Sequence, residues 1–394
     1  MHKIENCEGE EISSKEVKPS KDGFYYINKS YRMPYLDGLR GLAAIMVFFV
    51  HFFAFYDIPK FITADTNIWV ARIIRFLHSG QIGVDLFFVL SGFFIARNLI
   101  IKRTTFLKFI FQRLLRLLPV NFFVILYFVI FGSVSFYLVE ILANIFFVEG
   151  FFNGLRRINS VSWSLNYELI FYIGLIAFAV VARKYKALQS VKVFLVSSFI
   201  IWTSQWWGES VVNKISNGNL IYPGMFRFVA FLWGVGLAKL SLSLIWWNRF
   251  KKFFSYAIYI AVPLLFVLQW YWEWGRAHKP FYFIIVDIVF FIMIGNVLVN
   301  DNLFRKIFSW KPLTILGIIS YSFYLAHATC IGITNSLINS YSGYSRLGLH
   351  LIFSFILTFI VASLLYYFLE RPYFTHKIPL FEGFNIYKKI NKGR

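Results

Sequence analysis

Arg40 and His51 share one long apolar stretch, LDGLRGLAAIMVFFVHFFAFY, with ten residues between them. On an α-helix, eleven steps of 100° make three turns plus about 20°, so both side chains share one face, about 16 Å apart along the axis. An imidazole that titrates near neutrality is a natural general base. A guanidinium is a natural partner for phosphate or carboxylate oxygens. Burying either in an apolar helix is expensive, which marks the pair as functional by default. Together they suit a long, thin, anionic molecule lying between them.

Four further apolar stretches each carry an ionisable residue of the same kind: Asp85, Glu168, Arg227 and His327. Taken singly, each has an ordinary reading as a polar residue that pairs with a neighbour to fix helix packing. FLKFIFQRLLRLLP adds Arg113 and Arg116, three apart on one helical face ahead of Pro119, with Lys102, Arg103 and Lys108 close by. Arginine forks suit phosphate, although ordinary loop charge or lipid head-group binding accounts for the same spacing. No nucleophile elbow, HExxH or cysteine-rich metal spacing occurs, so neither a covalent serine mechanism nor a metal is expected. Cys7 and Cys330 stand far apart and suggest no disulfide. Gly83 and Gly92 lack the setting of a phosphate loop and suit close helix packing.

The elements that must hold these residues are membrane helices. Hydrophobic residues make up 58% of the 394 and charged residues 15%, with a mean hydropathy of +0.63. Repeated apolar runs of about 20 residues predict an all-α, polytopic transmembrane protein rather than a barrel. About ten spans are expected, near 35–56, 82–101, 117–137, 162–182, 190–207, 222–241, 254–272, 280–299, 313–337 and 347–370. The stretch 138–150 extends the third span, re-enters the membrane or lies at its surface. Residues 1–33 form a polar cytoplasmic tail, 34–374 one membrane domain, and 375–394 a basic cytoplasmic tail. No apolar core opens the chain, so the first span is expected to direct insertion.

The net charge of +21 does not point to nucleic acid, because no basic soluble module carries it. Most of the 40 Lys and Arg fall in 1–33, 97–116, 183–192, 239–252, 305–311 and 371–394, which are alternate connections. The positive-inside rule then puts both termini in the cytoplasm. That orientation turns sequence into depth. Arg40 lies toward the cytoplasm, and His51, Asp85, Glu168, Arg227 and His327 come to a similar outer depth on five helices. A polar functional cavity is expected there.

In order along the chain, YLDGLRGLAAIMVFFVH, GVDLFFVLSGF, QRLLRLLP, SVSWSLNYELIFY, ISYSFYLAHA and LERPY resemble the acyltransferase 3 family of integral membrane acyltransferases, over about residues 33–374. The resemblance implies transfer of an acyl group, usually acetyl, from cytoplasmic acyl-coenzyme A to a hydroxyl outside. Acceptors in such proteins are glycans or lipid-linked glycans: lipopolysaccharide O-antigen, capsule, exopolysaccharide or peptidoglycan. It also implies a multi-pass protein of the bacterial inner (plasma) membrane, in contact with lipid. Arg40 and His51 match residues regarded as essential, and Arg113 and Arg116 match a functional pair at the cytoplasmic face. Some members carry a further soluble domain of SGNH-hydrolase type, which is not expected here.

On this resemblance the coenzyme A phosphates are expected at Arg113, Arg116 and Arg40, with the thioester near His51 acting as base. Asp85 or Glu168 would orient the imidazole, and His327 competes with His51 for the role of base. Trp163, Tyr167, Arg227 and Tyr324 are expected on the acceptor side. An acyl-histidine intermediate stays open, as does a different class altogether, a proton-coupled transporter or glycan exporter.

Overall fold

A computed structural model of the chain describes residues 33–56, 67–102, 106–132, 134–152, 154–184, 227–242, 244–271, 279–338 and 343–372. The expected tail 1–33 (apart from Met33), the fifth expected span at 190–207 and the tail 375–394 lie outside the described residues. The described helices are α1 (Pro34–Ala54), α2 (Ile68–His78), α3 (Gly83–Lys102), α4 (Phe106–Phe131), α5 (Leu138–Ile145), α6 (Trp163–Lys184) and α7 (Phe228–Leu242). They continue with α8 (Leu244–Trp270), α9 (Lys279–Val299), α10 (Leu303–Phe308), α11 (Lys311–Ile318), α12 (Ser320–Leu337) and α13 (Gly343–Leu365). No strand occurs among them, in keeping with the all-α expectation.

Among the described residues, six helical stretches are long and apolar enough to cross a membrane. They are Pro34–Ala54, Ile68–Asn98, Ile110–Phe131, Asn248–Trp270, Phe281–Val299 and Ser345–Glu370. The ninth expected span, 313–337, is not one rod: α11 and α12 meet at Ile319 with a bend of 81°, and counted together they make a seventh. The sixth is represented by the shorter apolar stretch Val229–Ser241.

Local sequence explains most of the element ends. α1 starts on Pro34, whose missing N–H costs nothing in a first turn, and carries Asp37 there, where the helix dipole favours a carboxylate. α4 runs through Pro119, which cannot donate to the Leu115 carbonyl. α2 was not foreseen. It is a short amphipathic helix capped by the Asn67 side chain, which accepts from the Trp69 N–H at 2.9 Å, and it leads through the turn Gly80–Ile82 into α3. The 138–150 stretch is a short surface helix, α5, followed by the turn Glu149–Phe151. Tyr137, Leu138 and Val139 on it are exposed, while Glu140, Ala143 and Asn144 are buried.

That connection is pinned by its own polar groups. Asn121 donates from Nδ2 to the Asn144 and Ile145 carbonyls at 2.9 and 3.1 Å, and Asn144 Oδ1 accepts the Ile158 N–H at 2.9 Å. Glu140 pairs with Arg156 at 2.8 Å, and Glu149 with Arg157 at 3.0 Å. Asn159 then reaches across to the Leu325 carbonyl at 3.1 Å, fixing the start of α6 against the second turn of α12.

Helices in lipid associate by close packing, which small residues permit. α3 and α7 touch backbone to backbone: a Cβ on Gly92 would collide with the Phe231 carbonyl, and one on Gly234 with the Val89 carbonyl. The packing role expected of Gly92 is therefore seen. α11 lies against α1 with Gly317 on the Asp37 carbonyl. Phe48, Phe52, Phe323 and Phe355 fill the space between α1, α12 and α13 around the His51 end, with the Phe48 and Phe355 rings perpendicular at 5.4 Å.

Candidate active site

The first two turns of α1, one face of α3 from Val84 to Asn98, α4, α6 and the start of α12 line one cavity of about 280 Å³. Arg40, Arg113 and Arg116 line it, with Asp37, Asn98, Ser91, Glu168, Tyr172, Tyr321 and Tyr324. On α6 the lining residues Ser164, Glu168 and Tyr172 recur every fourth position, a polar stripe about 12 Å long. Arg113 and Tyr172 mark one end, with the guanidinium carbon 5.8 Å from the ring centre. Tyr324 closes the other: its hydroxyl donates to the Val161 carbonyl at 2.7 Å and lies 2.8 Å from the Ser164 hydroxyl.

Arg116 does not stand alone at this wall. Its Nη2 and Nε lie 3.2 and 3.4 Å from Glu370 Oε1, and the Ser322 hydroxyl donates to Glu370 Oε2 at 3.1 Å. Glu370 is fully buried at the end of a π-helical turn, Tyr366–Glu370, that finishes α13. It belongs to LERPY, a motif in which the sequence had singled out no residue.

His51 and His327 meet beyond the Tyr324 end. His327 Nε2 is 3.1 Å from His51 Nδ1, and the rings are 4.8 Å apart. Two backbone carbonyls settle the tautomers, since a carbonyl can only accept. His327 Nδ1 is 2.6 Å from the Tyr324 carbonyl, so that nitrogen carries hydrogen and Nε2 offers a lone pair. His51 Nδ1 is 2.9 Å from the Val47 carbonyl, so it too carries hydrogen and shares it between Val47 and His327. His51 Nε2 is left as a lone pair with no hydrogen bond among the described residues. The geometry gives the two histidines unequal parts: His327 accepts and orients, and His51 presents the basic nitrogen.

The carboxylates expected to orient His51 lie elsewhere. Asp85 sits on the side of α3 turned from the cavity and pairs with Arg227, whose Nε is 3.6 Å from Oδ1. The Arg227 guanidinium is held between Trp163 and Phe283, at 5.4 and 4.6 Å from the ring centres. Asp287, not picked out from the sequence, lies within electrostatic range of both Asp85 and Arg227. Glu168 accepts the Ser91 hydroxyl at 2.6 Å and the Tyr172 hydroxyl on the same oxygen. Tyr167 packs edge-on to Trp163 at 5.9 Å and does not line the cavity. The five residues of matched depth thus divide into three groups: the histidine pair, the Asp85–Arg227 pair and Glu168 in the cavity. One signal was available for Asp287, a lone carboxylate in an otherwise apolar span.

A family model described as an acyltransferase domain matches residues 33–367, most of the chain. The chain belongs to the acyltransferase 3 family. The match begins just ahead of α1, at Met33, and ends within the π-helical turn, so it takes in the cavity and the histidine pair. Proteins similar to it include the Staphylococcus aureus (strain MSSA476) protein named "Putative O-acetyltransferase SAS0844", 28% identical over 89% of this chain and 59% of that protein. The peptidoglycan O-acetyltransferase OatA of Listeria monocytogenes is 28% identical over 86% of this chain and 55% of its own length. The O-acetyltransferase OatA of Staphylococcus aureus (strain NCTC 8325) is 26% identical over 86% and 57%. The chain thus spans under two thirds of the length of the curated relatives it matches. No solved structure matches it.

Proposed function

We propose that the protein is a membrane O-acetyltransferase that takes an acyl group, acetyl by default, from cytoplasmic acyl-coenzyme A. It passes that group to a hydroxyl of a surface or lipid-linked glycan outside the bacterial inner membrane. One observation carries this reading: a histidine pair with a defined tautomer stands just past the closed end of an arginine-lined cavity. The phosphates of the donor would lie at the Arg113 end, and the arm would follow the stripe of α6 toward Tyr324. Both termini would be cytoplasmic, as the loop charges suggest.

In the proposed step, His51 Nε2 takes the proton of the acceptor hydroxyl while its oxygen attacks the thioester carbon. The tetrahedral adduct collapses, the carbon–sulfur bond breaks, and the thiolate takes the proton back from His51. The charge on the imidazolium is met at Nδ1–H by the Val47 carbonyl and His327 Nε2. Arg40 holds the donor from the cavity wall. The proton-coupled transporter alternative draws on the same buried charges; family membership favours the enzyme.

The test is acyl transfer by membranes holding the full chain, with labelled acetyl-coenzyme A and glycan acceptors, followed by mass spectrometry of surface glycans. His51→Ala should lower turnover about 10²–10⁴-fold, the range a positioned general base supplies. Full transfer by that variant would refute the mechanism. Label recovered on a histidine in the absence of acceptor would replace direct transfer by an acyl-enzyme.

A further inference from the structure

Glu168 is an unexpected neighbour for a donor phosphate. It lines the cavity beside three arginines, yet a carboxylate repels the anion those arginines suit. Its surroundings engage one oxygen and leave the other uncommitted. Oε1 accepts both the Ser91 and the Tyr172 hydroxyls, which brace it from α3 and from the next turn of α6. Oε2 has no hydrogen bond among the described residues. An ionised carboxylate only accepts, so whatever lies against Oε2 must bring a hydrogen.

Position narrows the donor of that hydrogen. Tyr172, beside Arg113, is one turn below Glu168, and Ser164, bonded to Tyr324, is one turn above, each about 6 Å along the axis. Glu168 therefore faces the middle of the cavity, between its cationic end and its closed end. A molecule with phosphates at one end and a thioester at the other presents its connecting arm there. In an acyl-coenzyme A that arm is uncharged and carries two secondary amides.

We infer that Glu168 Oε2 is the acceptor for an amide N–H of the donor's arm. This assignment rests on the donor proposed above. It makes Glu168 a residue that selects amide-bearing thioesters, distinct from the base and from whatever orients it. Ser91 and Tyr172 are positioning residues that hold the carboxylate's other oxygen.

The experiment is calorimetric titration of the full chain in lipid nanodiscs with acetyl-coenzyme A and with an analogue whose arm amide N–H groups are replaced by oxygen. The wild type should bind the analogue about tenfold more weakly, the size expected of a hydrogen bond to a charged acceptor. Glu168→Leu should bind both compounds equally, at about the wild type's affinity for the analogue. Equal binding of the two compounds by the wild type would overturn the inference, and needs no variant to fold. So would a Glu168→Leu protein that keeps the tenfold preference. Absence of any acetyl-coenzyme A binding by the wild type would instead remove the donor itself, and this role with it.

Discussion

His51 and His327 illustrate how a backbone sets chemistry. Neither imidazole could be assigned a protonation pattern without the two carbonyls that face them. If His51 is the base, His327 takes the place a carboxylate often fills beside a catalytic histidine, as an acceptor that fixes tautomer and ring. His327→Ala should therefore lower turnover with little change in the affinity for acetyl-coenzyme A. His327→Gln, which keeps an acceptor, should recover part of the loss. Separate measurement of kcat and donor Kd decides this, and a change confined to Kd would count against an orienting role. At this scale the sequence nominated residues and was a poor guide to their company. His51 and Arg40 were visible as costly residues on one apolar face. That Asp85 pairs with Arg227 rather than His51 was not visible, because depth along a helix says nothing of the direction around it. Glu370 was hidden by its position at the expected end of a span, where a charge passes for an interfacial residue.

Elements carry the next set of expectations. The α3–α7 contact depends on two residues without side chains, and Gly92→Leu should force the helices apart. Overpacking of this kind costs about 1–3 kcal/mol, so a fall in the midpoint of thermal unfolding in detergent is expected, with Gly92→Ala milder. The buried Arg116–Glu370 pair ties α4 to the end of α13. Breaking a buried pair from one side leaves a stranded charge, at about 3–5 kcal/mol in soluble proteins. Glu370→Leu should thus destabilise the protein more than Arg116→Met with Glu370→Leu, a comparison that thermal unfolding makes directly. The connection between α4 and α6 offers a pH test. The Arg156 side chain, donating to Glu140, holds that carboxyl down to about 2, with the Tyr137 N–H adding to the effect. A depressed carboxyl stabilises the fold above its ordinary pKa, 4.5, and that contribution drains away as pH falls from there toward 2. Glu140→Gln should flatten the loss of stability between pH 5 and 3 (roughly the upper part of that window). The long apolar runs gave most of these elements from sequence. The break at Ile319 was missed because the apolar pattern of 313–337 continues straight through it, and α2 was missed because Arg72, Arg75 and His78 interrupt the apolar run ahead of Gly83.

The whole molecule raises the question of sidedness. On the proposed orientation, with both termini in the cytoplasm, α5 and its loop would lie outside and the turn before α11 inside. In a background lacking Cys7 and Cys330, a cysteine at Tyr137 should react with an impermeant maleimide on intact cells. One at Lys306 should react only after the membrane is opened. The reverse pattern would invert the orientation and with it the direction of transfer. The family was legible because six short motifs fell in order, although none is decisive alone. The number of spans was less so, since long apolar runs also serve as surface and broken helices.

Tyr324 joins the two halves of the site. Its hydroxyl closes the cavity against Ser164 and Val161, and its carbonyl holds His327. On the proposed function, a large charged donor enters from one compartment and its acyl group leaves for a hydroxyl in the other, which risks a leak. Tyr324 stands between the cavity and the histidines, so the acyl group of a bound donor has to pass it to reach His51, and without a donor it is a plug of ring and hydrogen bonds. On that reading, the residue whose carbonyl holds His327 would also be the gasket between the two compartments.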